Sequence, residues 1–146
     1  MNRSDINFRL PRVDARWPPA SFECLPTEIC KATYKILAAP FFIRNLSVED
    51  EITCVFDGDG YVSDWKHEIK SDRSVLWVHY GELTNWLPIK AEVLRTRCNV
   101  ETLSAYKLCT IDVPPDVALG RLDGILGPFI RDGGVVVYPS LRHPES

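Results

Sequence analysis

Most of the signals that would assign a reaction to this 146-residue chain are missing. It has no Gly-x-Gly-x-x-Gly, no phosphate loop ending in Gly-Lys-Ser/Thr and no Gly-x-Ser-x-Gly elbow, so dinucleotide, P-loop and hydrolase chemistry lack a carrier. The three histidines, His67, His79 and His143, show no His-x-x-x-His or His-x-Glu spacing, which argues against a metal site. No apolar run approaches the ~18 residues of a bilayer-spanning helix, and Met1 to Asp5 has no apolar leader core; membrane insertion is not expected. Basic excess is also missing. Seventeen Lys and Arg face twenty Asp and Glu, a net charge of -3, which disfavours duplex nucleic acid as the main partner. There is no internal repeat and no low-complexity block.

The five cysteines, Cys24, Cys30, Cys54, Cys98 and Cys109, are odd in number and contain no Cys-x-x-Cys. They read as reduced thiols in a cytoplasmic protein. A Cys/His nucleophile pair stays open, because such partners need only meet in space, but nothing singles out one cysteine for the role.

What is present describes an ordinary globular domain. Hydrophobic residues at 45% with 25% charged exclude disorder as the default, and the length allows one domain to remove about two thirds of its unfolded surface from water. Residues 1–20 mix Arg3, Arg9, Arg12 and Arg16 with Pro11, Pro18 and Pro19 and show no clear period. They are expected to form a flexible arm, with Trp17 anchoring it to the domain. Residues 21–146 are expected to form one compact domain of two halves.

The half at 21–73 reads as short strands between turns: Phe22-Glu23-Cys24-Leu25, Thr33 to Leu37, Ile52 to Phe56, then Asp57-Gly58-Asp59-Gly60 and a strand from Tyr61 to Ile69. That is a small antiparallel β-barrel or curled sheet. Asp57 and Asp59 invite a calcium reading, but Val62 stands where the loop needs glycine at its sixth place, so a hairpin turn is preferred. The half at 74–146 begins with Val75 to Tyr80, the most strand-like run, and Leu83 to Leu87 reads as a returning arm or as helix. Pro88 opens a helix to Arg97, Leu103 to Val113 is a strand or hairpin, Asp116 to Ile130 a helix, and Val135 to Tyr138 a last strand. This order is that of a ferredoxin-like unit, so the expected class is α+β, a β-rich half packed on a ferredoxin-like half. In the second helix Ala118, Leu122, Ile125, Leu126, Phe129 and Ile130 share one face, whereas Gly120, Gly124 and Gly127 leave the opposite face bare. Gly127-Pro128 is expected to break the helix.

Ala39-Pro40-Phe41-Phe42 is the most distinctive run. Pro40 presets an extended backbone, and because neighbouring strand residues point to opposite faces, the two phenylalanines predict a strand between two packed layers. Arg44-Asn45 supplies turn chemistry, and Ser47 caps a turn containing Glu49 and Asp50.

Pro40, Phe41, Phe42, the link residues Leu46 and Val48, Asp50 in a turn and Ile52 opening the next strand resemble the domain-of-unknown-function 4265 family of small bacterial proteins. Cys109-Thr110-Ile111-Asp112-Val113-Pro114-Pro115 resembles its late strand running into a helix, and the resemblance spans about Phe22 to Tyr138. The family pattern has glycine where this chain has Glu49; if the backbone there needs φ > 0, the glutamate implies strain or a rebuilt turn. The resemblance implies no activity.

Small size, mild acidity and abundant aromatics without a chemical motif favour a non-catalytic protein that binds another protein, with no cofactor and no metal. Its most concrete form is an immunity protein neutralising a toxin encoded by a neighbouring gene. The expected contact surfaces are an acidic corner of Glu49, Asp50, Glu51, Asp57 and Asp59, and the bare helix face at Gly120 and Gly124. The alternative is a small-ligand or enzymatic domain with a cleft between the halves. The aromatics Trp65, Trp77, Tyr80 and Trp86 lack interleaved basic residues, so core packing is preferred to base stacking.

Overall fold

A computed structural model describes residues 2–144. The class is α+β, mostly strand with two helices, and the chain divides into two compact units, Met1–Ser71 and Asp72–Ser146.

The first unit is a five-stranded closed barrel in the order β1 (Arg3–Arg9), β2 (Phe22–Cys30), β3 (Thr33–Ile36), β4 (Glu51–Phe56) and β5 (Val62–Ile69). Consecutive strands pair antiparallel, and β1 closes on β5 in parallel where Phe8 meets Val62. Ile6 and Phe8 on β1, Leu25 on β2, Ile36, Ile52 and Val62 point inward at period two and form the core with Ile43 and Leu46. Residues 3–9 are therefore a barrel strand and not a flexible arm. Asp5-Ile6-Asn7-Phe8-Arg9 alternates, but two apolar residues are a weak local signal, and the seven-residue ladder to β2 supplies the order. The β4–β5 hairpin turns at Asp57 to Gly60, where Gly60 holds φ +82 and its N–H donates to the Asp57 carbonyl at 3.0 Å.

A second correction concerns Pro40-Phe41-Phe42. Residues 37–50 form no strand, and both phenylalanines are half-buried in an irregular segment. Their backbone N–H groups are taken by a side chain instead of a neighbouring strand, as the site below makes plain.

In the second unit β6 (Ser74–His79) is followed by α1 (Trp86–Leu94), β7 (Asn99–Leu103), β8 (Leu108–Val113), α2 (Leu119–Arg131) and β9 (Val135–Ser140). The sheet order is β7-β8-β6-β9, antiparallel throughout. Leu76, Val78, Ile111 and Val113 pack against Trp86, Ile89 and Val93 of α1 and Leu122, Leu126 and Phe129 of α2. Leu83 to Leu87 leads into α1 and forms no strand; Pro88 falls in the first helical turn, where its missing N–H costs no bond. The helix also runs through Pro128 instead of breaking there, leaving the Gly124 carbonyl without that N–H. Ala118 and Ile130 are exposed, so the buried stripe of α2 is narrower than its periodicity suggests. Gly134 follows because a Cβ there would strike the Phe129 ring. Among the described residues no helix is long and apolar enough to cross a membrane.

Candidate functional site

The first unit carries a cleft of about 280 Å³ whose walls come from four places in the sequence. The end of β1 gives Phe8, Arg9 and Leu10, the following loop gives Pro11, Val13, Trp17 and Pro18, the irregular segment gives Phe42, Ile43 and Arg44, and β5 gives Trp65. The loop is shaped locally: Asp14 Oδ1 accepts from the N–H of Arg16 at 2.7 Å and of Trp17 at 2.8 Å, and Leu10 N–H donates to the Ser21 carbonyl at 3.0 Å. Those backbone bonds hold the Asp14 carboxyl below its usual range. Trp17 then meets Phe42 edge-on, ring centres 5.4 Å apart, so the indole does anchor this segment.

Glu23 holds the segment that supplies Phe42. Period two turns it inward from β2 beside Leu25, and its carboxylate accepts from Phe41 N–H at 2.6 Å and Phe42 N–H at 3.0 Å. Burial pushes its pKa up to about 7, against the lowering by the two backbone donors. The Pro-Phe-Phe run is thus hung on a buried carboxyl.

Behind Trp65 lies a buried polar knot. Trp65 packs edge-on against His67, ring centres 5.1 Å apart, and His67 Nε2 is 2.9 Å from Asp50 Oδ2. Asp50 is fully buried and also accepts from Ser47 N–H at 2.9 Å and Ser71 N–H at 2.8 Å. Ser71 Oγ donates to the Val48 carbonyl at 2.7 Å, so the turn at 47–50 is tied to the end of β5.

The acidic corner does not exist as one surface. Asp50 is interior, Glu49 is exposed, and Glu51 Oε1 lies 3.2 Å from the Thr33 hydroxyl. Asp57 and Asp59 sit beyond the other end of β4, six residues on, or about 20 Å at strand rise. Both engage Arg9: Asp57 pairs with its Nε, and Asp59 Oδ2 is 3.0 Å from its terminal nitrogen. The Arg9 hydrogen bond is the main reason the Asp57 carboxyl lies below its usual range, and the same guanidinium stacks 4.5 Å above the Tyr61 ring. Gly120 and Gly124 are on the exposed side of α2 with open space before them, in the second unit. His67 and His79 fall in different units, and burial lowers the His79 pKa. Among the described residues no group of three or more His, Cys, Asp or Glu is placed to hold a metal, and the five cysteines are free thiols. Trp77 and Trp86 are buried and offer no face to a base.

A family model described as a domain of unknown function (DUF4265) matches residues 25–138. The chain belongs to the DUF4265 family. A crystal structure of a hypothetical protein from Neisseria gonorrhoeae shares the fold, with a TM-score of 0.71 and 14% identity over 94% of this chain and 96% of that one. None of the curated proteins matches.

Glu49, where the resemblance noted from the sequence has glycine, holds φ +72, so the condition for strain is met. A glutamate in this left-handed conformation bears backbone strain. Glu49→Gly is therefore expected to raise stability by about 1 kcal/mol, read from urea midpoints; an unchanged or lower midpoint would mean that the side chain repays the strain. Sequence reasoning missed Glu23, although a glutamate in phase with Leu25 and Thr27 on the inward face of a strand was the available signal.

Proposed function

We propose that this chain works by binding another protein, without catalysis, and that the cleft of the first unit is the contact site. One observation carries the reading: the lining consists of nine apolar residues and two arginines, of which Arg9 is already held by Asp57 and Asp59, so the surface is suited to an apolar side chain. Val13, 77% exposed at the cleft, and Phe42, half-buried on its hung segment, are available to an incoming group. Neutralisation of a toxin encoded by a neighbouring gene, in the cytoplasm where the thiols stay reduced, is the most concrete form of this proposal. The strand, helix, two strands, helix and strand of the second unit, in the order β7-β8-β6-β9, support its reading as a ferredoxin-like half.

Co-expression tests the proposal. The protein is expected to co-purify with the neighbouring gene's product and to rescue growth against it. Elution alone, together with failure to rescue, would end the immunity reading. A second reading, a small apolar molecule in the same cleft, rests on its volume, near the lower end of small-molecule pockets. Native mass spectrometry separates the two: a retained small mass that the exposed-site variant Val13→Asp loses favours the ligand.

A further inference from the structure

The sheet of the second unit has two edges, β7 and β9, and they are guarded differently. β7 carries the exposed Glu101 at its centre, the kind of charge that blocks strand addition. β9 reads Val135-Val136-Val137-Tyr138-Pro139-Ser140, with no charge and four strong strand formers in a row. Val135 is 52% and Tyr138 40% exposed. Pro139 lacks an N–H near one end and leaves Val135 to Tyr138 able to pair.

We propose that β9 pairs antiparallel with β9 of a second copy of this chain across a two-fold axis. Self-pairing brings no charge onto a charge, and it uses the less guarded of the two edges of this sheet among the described residues, so a two-fold pairing consumes it and assembly stops at two. An axis perpendicular to the sheet keeps every side chain on its own face. Centred on Val137, it sets Val136 opposite Tyr138 of the second copy, a β-branched residue against an aromatic one. The Tyr138 hydroxyl donates to Asp123 Oδ1 at 2.8 Å, which places α2 beside this edge, and the open space at Gly120 and Gly124 leaves room for the second α2. A groove of about 370 Å³ between Gly120, Tyr138 and the 48%-exposed Leu141 is the apolar surface that the pairing would cover.

Light scattering after size exclusion, from about 1 to 200 μM, tests this, with the mass expected to move from one chain to two at a micromolar Kd. Val135→Lys and Val137→Lys are expected to weaken association at least ~30-fold while circular dichroism stays unchanged. Val135 is exposed, so its variant decides the matter if Val137→Lys does not fold. The cleft variant Val13→Asp should dimerise normally. A wild type that stays monomeric at the highest concentration, a mass that grows beyond two chains, or a dimer that Val135→Lys leaves intact would overturn the proposal.

Discussion

Replacing Asp50 by alanine is expected to lower stability by about 3 kcal/mol, because three donors converge on this buried carboxylate and all lose their acceptor at once. Ser47 is itself fully buried, so its N–H is shielded from solvent. Asp50→Asn should cost less: Oδ1 can still accept from Ser71, while the amide nitrogen at Oδ2 can donate to a His67 tautomer with a free Nε2, so that only the bond from Ser47 N–H to Oδ2 is lost. The order alanine, asparagine, wild type in urea midpoints checks the account. An alanine variant as stable as the wild type would show that the knot is bypassed.

The second large effect is a pH dependence of unusual sign. The Glu23 carboxyl is raised from 4.5 to about 7 in the folded chain, so the folded state holds its proton where the unfolded state has released it. Stability from this group is fully present below pH 4.5 and is lost as pH rises through about 7, a change of roughly 3 kcal/mol. His79 works the other way, since burial lowers its pKa and ionisation below its usual range disfavours the fold. The difference between wild type and Glu23→Gln isolates the first effect. The variant should lack the decline between pH 5 and about 7.5, whereas parallel curves would remove Glu23 as its source. Because Glu23 carries Phe41 and Phe42, its ionisation also bears on one wall of the cleft.

The parts of this fold that announce themselves locally were legible. Asp57-Gly58-Asp59-Gly60 between alternating runs gives the β4–β5 hairpin, and Leu122, Leu126 and Phe129 give the buried face of α2. What was not legible depends on partners distant in sequence. β1 is ordered by its ladder to β2, and Phe41-Phe42, in an irregular segment after Pro40, finds Glu23 instead of another strand. The acid residues mislead for the same reason. A short run of charge reads as a solvated face, yet Asp50 is drawn inside by Ser47, His67 and Ser71, and the length of β4 carries Asp57 and Asp59 away from Glu51 to Arg9. The cleft combines residues from Phe8 to Trp65, a separation that periodicity cannot bridge.

The central proposal is that this DUF4265 chain binds a protein through the apolar cleft of its first unit. Titrating the purified neighbouring-gene product against wild type, Val13→Asp and Glu51→Lys tests it most directly. The account predicts a complex that Val13→Asp weakens about 30-fold or more and Glu51→Lys leaves within about threefold. Equal affinity for wild type and Val13→Asp, or no complex at all, would contradict it.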